Sequence, residues 1–301
     1  MLIQADIGPG GGMNGVAFSP DGKLAGVGAD GTVQLWDPAT GQPVGAPVPA
    51  GAAQGGVGVL AVAFSPDGRL LASVDVDGNL QLWNPATARP DGALLPAGTP
   101  VLGVNGLAFS PDGSLLASAG AGGMVEVWVP AKRILMRSLR CGARYGAKGV
   151  AFGPGDRLLA AACDDGYVRL WDPATGQPVG APLPADPGSG GGVNGVAFSR
   201  DGRLLASADA DGYVRLWDPA TGQPVGAPLP AGTGPGDDVR GVAFNADGRL
   251  LASADANGTV QVWQIATFAN PYAALCADVG PLTKAKWAQY AAGEPQPSVC
   301  S

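Results

Sequence analysis

The stretch VNGVAFSRDGRLLASADADGYVRLWDPATGQPVGAPLP, residues 193–230, determines the fold predicted for this chain. Its segment YVRLWD alternates Val214 and Leu216 with Arg215, which is the pattern of a strand with one buried face. The Asp211-Gly212 pair before this segment suits a tight hairpin turn, because glycine tolerates a positive φ. The stretch therefore predicts four strands, VNGVAFS, RLLASAD, YVRLWD and QPVGAPLP, joined by turns.

The same pattern recurs in six units along the 301 residues. A VAFSPDG-like phrase places a phenylalanine in each unit, at Phe18, Phe64, Phe109, Phe152, Phe198 and Phe244, and an LWDPATG-like phrase places a tryptophan, at Trp36, Trp83, Trp128, Trp171, Trp217 and Trp263. Successive phenylalanines are 46, 45, 43, 46 and 46 positions apart, a period typical of β-propeller blades. A four-stranded unit cannot bury both of its faces alone, so we expect the units to stack around an axis.

These phrases resemble the WD-repeat family over residues 1–264. The Trp-Asp dipeptide that names the family stands at Trp36-Asp37, Trp171-Asp172 and Trp217-Asp218 and is altered in the other three units. The resemblance implies an all-β propeller that binds a protein or peptide partner. The chain contains no histidine, so the Asp-His-Ser-Trp hydrogen-bond network of many such blades cannot form.

We therefore predict a propeller of six visible four-stranded blades over residues 1–268, followed by a short helical C-terminal tail over residues 269–301. The repeat units are predicted at about 13–50, 57–97, 102–140, 146–185, 193–231 and 239–268. We expect residues 1–7 to add the outermost strand of the sixth blade and so close the ring, with a truncated seven-bladed parent as the alternative. The tail is similar to those of large bacterial WD-repeat signalling proteins, and we expect Leu282 and Trp287 to cover apolar propeller surface.

Composition narrows the range of partners. A net charge of −7 and an isoelectric point near 4.5 argue against nucleic acid, because phosphate binding needs a surplus of basic side chains. The longest uncharged stretch, residues 38–66, is broken by prolines and glycines and does not suit a membrane span. The opening MLIQADIGPGGG lacks the basic and apolar regions of a signal peptide. We expect a monomeric, cytoplasmic protein, and 13 Arg against 5 Lys suits a bacterial source.

Catalytic and metal-binding arrangements find little support in the sequence. Without histidine, the commonest acid-base and nucleophile-activating arrangements are impossible. The Asp-x-Asp-Gly phrases at residues 75–78 and 209–212 have too few ligands for a calcium loop and predict hairpin turns instead. The four cysteines, Cys141, Cys163, Cys276 and Cys300, suit neither a zinc site nor a disulfide framework, and we expect free thiols. The alternative is that Cys276 and Cys300 pair in oxidising conditions, but a cytoplasmic setting favours free thiols. We predict no cofactor and no resident metal.

Two classes of function remain: a protein-interaction scaffold or sensor, and a small-ligand-binding or catalytic propeller with a site in the axial funnel. We favour the scaffold because the axial strands are small and apolar. In each unit, the residue two before the first core aliphatic of the innermost strand should lie at the funnel mouth. These positions, which vary while their neighbours stay aliphatic, are the predicted partner-binding residues Asn14, Leu60, Asn105, Lys148, Asn194 and Arg240.

A second candidate surface is a basic strip within residues 132–148, where the repeat is most degenerate. Its arginines are Arg133, Arg137, Arg140 and Arg144. One interpretation is a solvated outer strand whose basic side chains extend to water. The other is a docking strip for an acidic partner.

Overall fold

A computed structural model describes residues 12–50, 58–95, 103–142, 146–186, 191–232 and 237–265. These residues form six antiparallel sheets that follow one another along the chain, as the repeats predict. The predicted all-β propeller of six blades is confirmed. Residues 1–7, the tail over residues 269–301, Arg144, Cys276 and Cys300 lie outside the described residues.

The strands of the first three blades lie where the repeated phrases predict them. Blade 1 contains β1 Met13–Phe18, β2 Leu24–Gly28, β3 Thr32–Asp37, β4 Gln42–Pro43 and β5 Val48–Pro49. Blade 2 contains β6 Val59–Phe64, β7 Leu71–Asp75, β8 Leu80–Asn84 and β9 Arg89–Pro90. Blade 3 contains β10 Val104–Phe109, β11 Leu116–Gly120, β12 Met124–Val129, a 3₁₀ turn at Pro130–Lys132, and β13 Ile134–Arg140.

The last three blades repeat this order. Blade 4 contains β14 Ala147–Phe152, β15 Leu159–Cys163, β16 Tyr167–Trp171 and β17 Leu183–Pro184. Blade 5 contains β18 Val193–Phe198, β19 Leu205–Asp209, β20 Tyr213–Asp218, β21 Gln223–Pro224 and β22 Leu229–Pro230. Within the described ranges, blade 6 contains β23 Val239–Phe244, β24 Leu250–Asp255 and β25 Val260–Gln264.

The outer strand of a blade differs from its prediction. QPVGAPLP was predicted as one strand, but in blade 5 it forms two short segments, β21 and β22, that pair with different parts of β20. Prolines remove the backbone N–H groups that a continuous ladder needs, and Gly226 between the segments has φ +74°. Among the outer strands in the described ranges, only β13 of blade 3, whose sequence departs from the repeat, reaches seven residues.

The first strand of each blade lies innermost, where it contacts the first strand of the next blade along the series β1, β6, β10, β14, β18 and β23. Apolar clusters fill the space between successive blades. Between blades 1 and 2, for example, Val33 and Leu35 of β3 pack with Val62 and Phe64 of β6. Equivalent clusters join blades 2 and 3, 3 and 4, 4 and 5, and 5 and 6.

Three blades contain a Trp–Ser hydrogen bond, which is part of the polar network that the WD-repeat resemblance implies and which needs no histidine. The indole N–H of the repeat tryptophan donates to a serine hydroxyl of the second strand: Trp83 to Ser73 at 2.8 Å, Trp128 to Ser118 at 3.3 Å, and Trp217 to Ser207 at 3.2 Å. Each of these serines is buried. The Trp–Ser bond therefore links the second and third strands of these blades directly.

The prediction of free thiols is wrong for Cys141 and Cys163, which form a disulfide with their Cα atoms 5.5 Å apart. Cys141 follows the outer strand of blade 3, and Cys163 ends the second strand of blade 4. Both are fully buried in the cluster that joins these two blades. The bond therefore crosses a blade junction, a proximity that arises only when blades stack. No helix in the described ranges is long and apolar enough to cross a membrane.

Candidate functional site

The six predicted partner-binding positions share one backbone feature: each is the extra residue of a β-bulge in an innermost strand. In blade 3, Val104 pairs with Gly120 and Gly106 pairs with Ala119, which leaves Asn105 unmatched. The same register shift occurs at Asn14, Leu60, Lys148, Asn194 and Arg240. A bulge interrupts the regular alternation of side chains along a strand, so the side chains of these six residues point in a different direction from those of their neighbours.

The residue after the bulge brings neighbouring blades close together. A Cβ on Gly106 would lie 3.1 Å from the carbonyl oxygen of Lys148, and one on Gly149 would lie 3.3 Å from the Cα of Gly195. The innermost strands therefore approach backbone to backbone at the level of the bulges. This approach puts each bulge side chain within reach of the next blade.

The bulge asparagines use this proximity to join blades. Each donates its side-chain N–H to the carbonyl that precedes the bulge of the next blade: Asn14 to Val59 at 2.9 Å, Asn105 to Ala147 at 3.0 Å, and Asn194 to Val239 at 2.8 Å. The accepting residues are fully buried or nearly so. These asparagines thus have a structural role that sequence reasoning missed, because the bond spans more than 40 residues along the chain.

Lys148 lies at the centre of a small polar network. Its ammonium group donates to the Asn194 side-chain oxygen at 2.8 Å and to the Gly191 carbonyl at 3.2 Å, and it forms an ion pair with Asp164 at 3.0 Å. Both charged side chains of the pair are one-third exposed. Water therefore screens the pair and keeps its contribution to stability below about 1 kcal/mol.

Four of the six predicted residues, namely Asn105, Lys148, Asn194 and Arg240, line one open cavity of about 320 Å³, which we call the rim cavity. Asp238, two residues before Arg240, completes the lining and was not predicted. The signal available for Asp238 was its position beside the predicted innermost strand, in the phrase DDVRG. Asn14 and Leu60 do not line this cavity, which lies on the side of blades 3 to 6.

Arg240 differs from Lys148 in its surroundings. Among the described residues, no carboxylate lies within ion-pairing distance of its guanidinium. Its residue is exposed, and it borders the same cavity as the amide side chains of Asn105 and Asn194. The cavity thus contains two basic side chains, Lys148 and Arg240, one carboxylate, Asp238, and two amides. The guanidinium of Arg240 is the basic group without an ion-pair partner in the described part of the chain, and a guanidinium is suited to bind a carboxylate.

The basic strip runs along the outer strand of blade 3, and two of its arginines contact neighbouring blades. Arg133 forms an ion pair with Asp91 at 3.3 Å and donates to the carbonyls of Ala93 and Asp91 in blade 2. Arg137 donates to the Ala174 carbonyl of blade 4 at 2.9 Å. These bonds give both arginines a role in holding blades together. Arg140 is exposed at the end of the strand.

A larger cleft of about 720 Å³ opens between blades 5 and 6, beside the turns that follow their innermost strands. Arg200, Arg203 and Arg249 line it together with Asp201 and Asp247. The Ser199 hydroxyl donates to Asp201 at 2.7 Å and, with the Arg203 amide, holds the pKa of that carboxyl below its usual value. The carboxylates therefore offset much of the positive charge in this cleft.

The Asp-x-Asp-Gly phrases form the predicted hairpin turns. One oxygen of Asp75 accepts from the backbone amides of Asp77 and Asn79 at 3.0 and 2.9 Å, and Gly78 has φ +81°. In the described part of the chain, no group of three or more potential ligands is placed to hold a metal ion. In the first phrase the Asp75 carboxylate is thus engaged with its own backbone. In the second phrase, Asp209 and Asp211 form ion pairs with Arg215.

A family model described as "WD domain, G-beta repeat" matches the chain at residues 4–37, 51–84, 99–129, 138–172, 181–218 and 228–264. The six matches follow the six blades, each beginning before an innermost strand and ending at or just after the repeat tryptophan. No curated protein matches the chain.

Proposed function

The chain belongs to the WD domain, G-beta repeat family, and from that premise we propose that it is a non-catalytic platform for protein partners. A propeller of this family is in general a protein-interaction scaffold. We propose that a peptide segment of the partner binds over the cavity formed by Asn105, Lys148, Asn194 and Arg240. The partner residue that enters the cavity carries a carboxylate, which Arg240 receives.

The observation that supports this proposal most is the position of Arg240. Its guanidinium borders a cavity with hydrogen-bonding amides and has no ion-pairing carboxylate among the described residues. An arginine fork matches a carboxylate in two hydrogen bonds, and arginine is common among residues that dominate binding energy. Lys148 adds positive charge but is already paired with Asp164, so we expect it to contribute less.

The small-ligand alternative is less compatible with this cavity. Ligand pockets are commonly 300–1,000 Å³ and lined mainly by apolar and aromatic side chains. The rim cavity is at the lower end of that range, and its five lining residues are all polar or charged. A peptide, which continues across the surrounding surface, has less need of an enclosed apolar pocket.

For the biological setting, we propose bacterial signalling or complex assembly in the cytoplasm, with the propeller acting as a monomer. In a reducing compartment, the Cys141–Cys163 bond would have to be protected from thiols. The complete burial of both cysteines provides that protection. Rapid alkylation of free thiols in intact cells, followed by cell fractionation and mass spectrometry, tests the proposed location. An oxidised Cys141–Cys163 pair in the cytoplasmic fraction would support the proposal. Localisation of the protein outside that fraction would contradict it.

The binding proposal is tested by comparing two double variants of equal charge change. Lys148→Glu with Arg240→Glu alters the rim, whereas Arg69→Glu with Arg203→Glu alters two arginine side chains that are more than four-fifths exposed elsewhere. Quantitative affinity capture and mass spectrometry should show proteins that are retained by the wild type and the control but lost by the rim variant. Equal retention by both variants would place binding on another surface. Circular dichroism melting verifies that all three proteins are folded.

A further inference from the structure

The face of blade 6 that points away from blade 5 is exposed in the described part of the chain. In β25, Val260 and Val262 are 65% and 59% exposed, whereas their counterparts in β20, Val214 and Leu216, are 0% and 3% exposed. The counterparts in blades 1 to 4 are also buried. In blades 1 to 5 the next blade packs against the equivalent pair of side chains. Val260 and Val262 are therefore apolar like the residues of a blade junction, but no described blade packs against them.

The opposite face, on blade 1, is uncovered in the same way. Val16 and Phe18 of β1 are 63% and 67% exposed, whereas Val150 and Phe152 of β14 are 9% and 8% exposed. In blades 2 to 6 the preceding blade packs against this valine-phenylalanine pair or its equivalent. Blade 1 therefore has an unpartnered apolar face turned toward blade 6.

The innermost strands show that blades 6 and 1 do not meet. A Cβ on Gly195 would lie 3.5 Å from the carbonyl oxygen of Arg240 in the next blade. A Cβ on the equivalent Gly241 of blade 6 would have no heavy atom within 4 Å in the described part of the chain. The six blades thus form an arc with a gap, and both sides of the gap are apolar.

We propose that residues 266–301 of the same chain occupy this gap and pack against both faces. These 36 residues begin two positions after the end of β25, so the segment is attached to blade 6, which forms one side of the gap. The three strands of blade 6 span only residues 239–264, so this segment is long enough to form a layer of similar size. Its Leu282, Trp287 and Tyr290 supply apolar side chains for the two faces.

The charge and attachment of the segment agree with this position. Its charged side chains sum to zero, because it contains two acidic and two basic residues, Asp278, Lys284, Lys286 and Glu294. A segment without net side-chain charge is compatible with packing against apolar surface. Attachment gives it an effective concentration at the gap in the millimolar range, which a second copy reaches only in very concentrated solution. A second copy would otherwise fit, because the face of its blade 1 complements the face of blade 6.

Site-specific photo-crosslinking in the full-length chain identifies the occupant. A benzoylphenylalanine at Val262 should crosslink within the chain to peptides from residues 266–301. A second probe at Leu94, an exposed apolar residue of blade 2, should not do so. Crosslinks from Val262 to residues 12–18 would mean that blade 6 closes directly on blade 1, and crosslinks between chains would mean a second copy. Either result, or no crosslink at Val262, overturns the proposal.

Hydrogen exchange gives an independent measurement. Deletion of residues 270–301 should speed exchange of the β1 and β25 amides by about tenfold, which corresponds to about 1.4 kcal/mol of lost protection. The amides of β20, within the junction of blades 5 and 6, serve as the control and should exchange at an unchanged rate. Unchanged exchange at β1 and β25 in a folded deletion variant would contradict the proposal. Should the deletion variant not fold, Trp287→Ala in the full chain is measured in the same way.

Discussion

The bulge asparagines provide a quantitative test of how the blades are joined. Replacing Asn105 with Ala removes the 3.0 Å hydrogen bond from its side chain to the carbonyl of Ala147, a residue with no exposed surface. A net hydrogen bond contributes about 0.5–1.5 kcal/mol, and a buried carbonyl left without its partner costs about 1–3 kcal/mol. The cavity beside Asn105 admits water, which lowers that cost. We therefore expect a loss of about 1–2 kcal/mol in the free energy of unfolding.

The chain offers a matched reverse experiment at the same bulge position of blade 2. Leu60 has no side-chain donor, and the carbonyl equivalent to that of Ala147 belongs to Val104. Leu60→Asn should therefore create the missing bond, which offsets part or all of the destabilisation caused by removing the half-buried leucine side chain. Urea unfolding followed by tryptophan fluorescence measures both variants. The reasoning fails if Asn105→Ala leaves stability unchanged while Leu60→Asn lowers it by more than about 1 kcal/mol.

Two further predictions concern buried groups. Burial raises the pKa of Asp209 to about 7, from 3.8, because the loss of hydration outweighs the attraction of Arg215. The folded state therefore holds this proton more tightly than the unfolded state, so the free energy of unfolding should fall as pH rises from about 4 to about 7. Asp209→Asn should flatten that part of the curve of unfolding free energy against pH. A variant with the wild-type slope would contradict this. Replacing Cys141 and Cys163 with Ala should lower stability by about 3 kcal/mol, because the bond closes a loop of 22 positions in the unfolded chain; calorimetry measures this, and an unchanged melting temperature would refute it.

Strand order and blade number were predictable because they follow from local pattern. Alternation in YVRLWD and its equivalents places the third strand, and the Asp-Gly pairs place the turn before it. The sequence also singled out the six residues that form the bulges, because a variable residue beside a constant aliphatic one indicates a side chain outside the core. The sequence did not reveal that these residues are bulges, because a bulge is defined by the pairing of two strands.

Contacts between blades were not predictable from the sequence, because they join residues that only the stacking of blades brings together. The disulfide joins Cys141 and Cys163 across a junction, and nothing in their spacing distinguishes them from free thiols. Likewise, Arg133 and Arg137 read as surface charges, although backbone carbonyls of blades 2 and 4 lie within their reach. The apolar gap between blades 6 and 1 could not be predicted for the same reason. The valines that border the gap occupy the same repeat positions as apolar residues that are buried at the other blade junctions.

The central claim, that partners bind at the rim beside Arg240, is tested most directly by placing a photo-crosslinking residue at Asp238 and, in a separate protein, at Arg203. Asp238 lines the rim cavity and its replacement leaves Arg240 in place, whereas Arg203 lines the cleft between blades 5 and 6 and not the rim cavity. Irradiation of cells that express each protein, followed by mass spectrometry, reports the proteins within reach of each position. We predict a defined covalent adduct from position 238 that disappears when Arg240→Glu is added, and none from position 203. Adducts from position 203 together with none from position 238 would contradict the account.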